Sequence, residues 1–109
     1  MKKELRFYQT ISGKTPFLDW LESIKDHIGK AHITNRLNRI VFGNFGDCKW
    51  IGDGIRELRI HYGPGYRVYF TEQEDTLILL LFGGDKRSQS RDIKKAKLYW
   101  ADFRERCYD

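Results

Sequence analysis

The chain has 109 residues with 40% hydrophobic, 32% charged and 15% aromatic content, the size of one ordinary domain with a single hydrophobic core. That composition excludes a disordered chain, and no apolar run approaches the roughly 20 residues of a membrane helix. Twenty Lys and Arg against fifteen Asp and Glu give a net charge of +5, which suits a polyanionic partner without naming one. The start, Met-Lys-Lys-Glu-Leu-Arg, lacks the apolar stretch of a signal peptide, so a cytoplasmic location is expected.

In chain order, Glu4 to Tyr8 alternates Leu5 and Phe7 and reads as an edge or joining strand. Thr15-Pro16 then announces a helix, with threonine at the N-cap and proline where its missing N–H is not needed. Phe17, Trp20, Leu21 and Ile24 give that helix an apolar stripe, and Gly29 is expected to break it. A second helix is predicted from about Lys30 to Phe42, with Ile33, Leu37, Ile40 and Val41 on one side. The two should form a helical hairpin. Gly43 to Gly54 holds four glycines with Phe45, Trp50 and Ile51 among them, and reads as a loop that packs.

Ile55 to Gln89 carries the most information. By the two-residue period of a strand, Leu58, Ile60 and Tyr62 share one face, and Glu57, Arg59 and His61 the other. Tyr66, Val68 and Phe70 repeat the apolar side, with Arg67, Tyr69 and Thr71 opposite. Gly63-Pro64-Gly65 between them supplies a tight turn, so the two segments form an antiparallel hairpin. Glu72 to Asp75 is a polar turn into a third strand, Thr76 to Phe82, apolar at nearly every position. Ser88 or Ser90 caps a final helix whose Ile93, Ala96, Trp100, Phe103 and Cys107 recur at spacings of three and four. Cys48 and Cys107 have no short-spaced partner and read as free thiols, with no metal site.

The order is β-α-α-β-β-β-α, an α+β single domain over residues 1–109, with helices on one face of a mostly antiparallel sheet. On that reading Arg59, His61, Arg67 and Tyr69 form a polar floor on the uncovered face. Arginine forks match phosphate oxygens, tyrosine offers a stacking surface, and histidine titrates near neutrality. Together they suit single-stranded RNA. Cleaving RNA without metal needs a base for the 2′-hydroxyl proton, cations for the developing phosphorane charge, and an acid for the 5′ oxygen. His61 can be base or acid, while Arg59, Arg67 and Lys86 supply positive charge. Between Gly84 and Lys97 six basic residues face two acids. A solvated helix face explains such a run equally well, and Tyr69 has an ordinary alternative as a cross-strand aromatic.

The segments Gly54 to Arg59, Gly65 to Phe70 and Leu80 to Gln89, followed by Asp92-Ile93 and Ala96, resemble the RelE/ParE superfamily of toxins. More narrowly they are similar to its HigB-type "addiction module killer protein" branch, which includes phage-derived members. The resemblance covers nearly the whole chain. It implies a type II toxin neutralised by a helix-turn-helix antitoxin, and an endoribonuclease that cuts mRNA, commonly at the ribosome, without a cofactor. Carried onto this chain, the family's basic strand positions fall on Arg59 and Arg67 and its basic post-strand position on Lys86 with Arg87, and His61 resembles the strand histidine of some HigB proteins. Catalytic roles are expected for His61, Arg67 and Lys86, and RNA contacts from Arg56, Arg59, Tyr69, Arg87 and Gln89. The chain lacks the pair of strand lysines of RelE proper, and Tyr108 is a loose counterpart of its C-terminal tyrosine. A ParE-like inhibitor of DNA gyrase that cuts no RNA is the alternative on the same fold.

Overall fold

The computed structural model describes residues 2–107 and has eight elements. They are β1 (Glu4–Phe7), α1 (Pro16–Ser23), α2 (His27–Val41), β2 (Cys48–Trp50), β3 (Ile55–Ile60), β4 (Tyr66–Gln73), β5 (Leu77–Gly84) and α3 (Gln89–Cys107). The five strands form one sheet in the order β1-β5-β4-β3-β2. Only β1 runs parallel to its neighbour, β5; the other three pairings are antiparallel. The α+β class and the element order of the sequence reading stand, with one strand added.

That strand, β2, lies in the segment expected to be a loop, and pairs Cys48 with Leu58 and Trp50 with Arg56. Three residues between glycines are too few to display a period. Gly29 does not break a helix either: it sits in the first turn of α2, whose N-cap Asp26 accepts a hydrogen bond from the Ile28 N–H at 3.0 Å. The true break is Ile24 to Asp26. Glycine is required at 29 for another reason, since a Cβ there would stand 2.9 Å from the ring of Tyr66. Of the two candidate caps, Ser88 immediately precedes α3, whereas Ser90 lies within it.

Helices cover both faces of the sheet, which corrects the one-face expectation. Phe17 of α1 and Ile33, Leu37 and Ile40 of α2 pack on Leu58, Ile60, Val68, Phe70, Ile78 and Leu80. On the other face, Ile93, Ala96, Tyr99, Trp100 and Phe103 of α3 meet Ile55, Tyr69, Leu79 and Leu81. The apolar run in β5 serves both layers, so its alternate residues enter different cores. A register shift opposite Tyr69 and Phe70 lets Leu81 and Phe82 both join the α3 layer. Gly83 and Gly84 follow because no side chain fits: a Cβ at 83 would enter the Trp20 ring, and one at 84 would enter the Asp92 carboxylate.

Candidate active site

The hairpin register sets Arg59 directly opposite Arg67, and Glu57 opposite Tyr69, all on the α3 face. The side-chain alternation read from the sequence is therefore correct. What differs is how deep each group lies. Tyr69 is sealed beneath α3 and donates its hydroxyl to Glu57 Oε2 at 3.2 Å. Burial, then the Glu57 carboxylate, push its hydroxyl far above the ordinary tyrosine range. Gln89 donates to the same Glu57 oxygen at 2.7 Å. Tyr69 is sealed from any RNA, contrary to expectation, whereas Gln89 is half-buried and spends an N–H on the same carboxylate.

Arg56 is also withdrawn. It projects to the α2 face, where its guanidinium lies 4.3 Å from the Phe45 ring centre and 4.4 Å from that of Trp50. Its Nη2 meets Glu72 Oε1 at 2.6 Å, and Lys3 binds the other oxygen of that carboxylate. This is a structural clamp tying β3 to β4 and the chain's beginning.

Arg67 keeps only 7% of its surface exposed. Among the described residues it forms no ion pair, and its Nε has no hydrogen-bond partner. Its strand neighbours are Arg59 and Gly84. The charge thus sits just below the surface, between two strands. Lys86 and Arg87 are exposed at the end of β5, and the Lys86 N–H reaches the Pro64 carbonyl at 3.4 Å. That contact folds the β5 end against the β3–β4 turn. A cleft of about 680 Å³ opens beside it, with Trp20 and Phe82 in its walls and Arg87, Arg91 and Lys95 among its cations.

Arg59 and His61 remain accessible, and one residue the sequence reading did not single out joins them. Asp47 Oδ1 accepts from Arg59 Nη2 at 2.8 Å and Nε at 3.2 Å, and its Oδ2 bonds His61 Nε2. The hydrogen bond from His61, then that from Arg59, hold the Asp47 carboxyl below the usual aspartate range. Its main chain is anchored too: the Asp47 carbonyl accepts from the Arg59 N–H at 3.0 Å and from Arg36 Nη2 at 3.2 Å. The signal that leads to Asp47 is β2 itself, since pairing Cys48 with Leu58 brings the preceding residue beside Arg59. His61 keeps 70% of its side chain exposed and borders a second cleft, of about 620 Å³, between α2 and β3.

Among the described residues no three His, Cys, Asp or Glu side chains converge as metal ligands. Cys48 and Cys107 are both free thiols. No described helix is long and apolar enough to cross a membrane. Tyr108 lies outside the described residues.

Fold and site together define a small α+β domain with an accessible Asp-His-Arg cluster and, at the end of β5, an exposed lysine and arginine. No protein-family model matches the chain. Over 91 residues it is 53% identical to a Haemophilus influenzae (strain ATCC 51907 / DSM 11121 / KW20 / Rd) protein described as "Uncharacterized protein", spanning 82% of this chain and 92% of that one. The chain belongs to the same family as that protein.

Proposed function

We propose that the chain is a RelE/HigB-type toxin of a type II toxin-antitoxin system, an endoribonuclease that cuts mRNA on the ribosome in the cytoplasm. One observation carries this reading: the register that sets Arg59 and Arg67 opposite each other, with exposed His61 two residues beyond and Lys86 against the same turn. A phosphate resting there meets Arg59 and Lys86 directly and feels the buried Arg67 charge from below. In such a cleavage the 2′ oxygen attacks phosphorus, a 2′,3′-cyclic phosphate forms, and the 5′ oxygen leaves as a hydroxyl. The cations stabilise the added negative charge, and His61 exchanges a proton. The partner is a helix-turn-helix antitoxin whose acidic surface complements the basic end of β5 and α3.

Inducing the chain with and without the neighbouring reading frame, then mapping RNA ends, tests this directly. New 5′-hydroxyl ends in translated mRNA, lost in His61→Ala and Lys86→Ala, are expected. Growth arrest with intact transcripts and damaged DNA would instead support a ParE-like gyrase inhibitor. The sealing of Tyr69 and the commitment of Arg56 and Gln89 favour that second reading, because they leave fewer side chains free for RNA.

A further inference from the structure

We propose that Asp47 is a positioning residue that fixes His61 in the tautomer protonated at Nε2, so that Nδ1 acts as the general base toward the RNA 2′-hydroxyl. The proposal rests on the nucleolytic reading for its chemistry, while the pairing itself rests on geometry alone. Asp47 Oδ2 faces His61 Nε2, and an ionised carboxylate accepts hydrogen bonds but donates none. The shared proton therefore stays on Nε2. In the neutral ring this leaves the lone pair on Nδ1, which has no hydrogen-bond partner among the described residues.

The carboxylate is tethered on its other side. Oδ1 is held by two N–H groups of Arg59, and the Asp47 carbonyl is held by Arg36 and by the Arg59 main chain. One side chain thus orients both the ring and the guanidinium. The arrangement follows the logic of a carboxylate-oriented histidine in acyl transfer, with a ribose hydroxyl in place of serine. In the step itself, Nδ1 takes the 2′ proton as the 2′ oxygen bonds to phosphorus. The bond from phosphorus to the 5′ oxygen then breaks, that oxygen takes a proton from solvent water, and the hydroxide left behind removes the proton from Nδ1 and restores the neutral ring. His61 borders, with Tyr62 and His32, a cleft of about 620 Å³ that offers a substrate room beside the ring.

Asp47→Asn is the informative variant. Because Arg59 claims Oδ1, the new amide presents its N–H to the imidazole and selects the opposite tautomer, protonated at Nδ1. In the full-length protein, with ribosome-bound mRNA as substrate, kcat should fall roughly a hundredfold or more while KM stays within a few-fold. Asp47→Asn combined with His61→Ala should be no slower than His61→Ala alone, since Asp47 acts through the ring. A merely structural role predicts losses that multiply. Nitrogen-15 shifts of the neutral ring should show Nε2–H in the wild type and Nδ1–H in Asp47→Asn.

A wild-type ring protonated at Nδ1, near-wild-type kcat in Asp47→Asn, or multiplying losses would each overturn the proposal. The wild-type ring measurement decides the pairing even where the variant fails to fold. Wild-type protein that shows the Nε2–H ring but cuts no RNA would sink the nuclease reading and the base role, and leave the Asp47–His61 pairing standing.

Discussion

The two faces of the sheet are built on different principles. On the α1–α2 face the packed interior is aliphatic and aromatic, with Arg56 paired and stacked at the rim and Arg36 bonded to main-chain carbonyls. On the α3 face the buried set includes Glu57, Arg67, Thr71 and Asp92 beside Tyr69 and Leu79. Glu57 Oε1, Arg67 Nε and Thr71 Oγ1 lack partners there, as do only Arg36 Nε and Arg56 Nε among the described residues of the other face. Burying such groups costs free energy that an apolar layer does not incur. The contrast places the larger apolar layer on one face and the buried carboxylates on the other.

Substitutions sharpen that contrast. The largest effect is expected on the apolar face: Phe70→Ala, at a fully buried position, should cost about 3–5 kcal/mol in urea unfolding. An effect below about 1 kcal/mol would mean that this face is not the stabilising layer. Gly84→Ala comes next at about 1–3 kcal/mol, because the added methyl collides with the Asp92 carboxylate and must displace the first turn of α3. Amide exchange should quicken in that turn and leave α2 unchanged. Tyr69→Phe removes one hydrogen bond to Glu57 and should cost about 1 kcal/mol. On the proposed nuclease reading the sealed ring takes no part, so RNA cleavage by that variant should match the wild type; a large loss would restore Tyr69 to the site.

The smallest effect is one of pH. Burial pushes the Glu72 carboxyl up, but Lys3 and Arg56 together pull it below the ordinary 4.5. A carboxyl lowered by folding contributes stability that is complete above its unfolded value and is lost as pH falls through the folded one. Unfolding free energy should therefore drop below pH 4.5, and Glu72→Gln should flatten that part of the curve. An unchanged slope would mean that the clamp is screened by solvent.

Side-chain alternation in Ile55 to Phe70 was legible because a strand's period depends only on neighbours in sequence. It put Leu58, Ile60, Val68 and Phe70 on one side and Arg59, Arg67 and Tyr69 on the other, as the structure has them. Depth was not legible. Tyr69, Arg67 and Arg59 share a face, yet the first is sealed, the second nearly so and the third half-exposed. That gradient depends on where α3 lies, and an amphipathic stripe says that a helix packs without saying on which layer.

Asp47 was out of reach for a related reason. Its partners stand 12 and 14 residues away, and only the pairing of a three-residue strand brings them together. The sequence by itself determined the α+β class, the strand faces and the basic turn at Lys86 and Arg87, all consequences of local periodicity and turn chemistry. Tertiary structure alone decided that α3 covers the polar face, that Tyr69 is sealed and Arg56 clamped to Glu72, and that Asp47 meets His61. Those outcomes depend on contacts between distant segments, where packing and burial rather than pattern set which charged groups meet water.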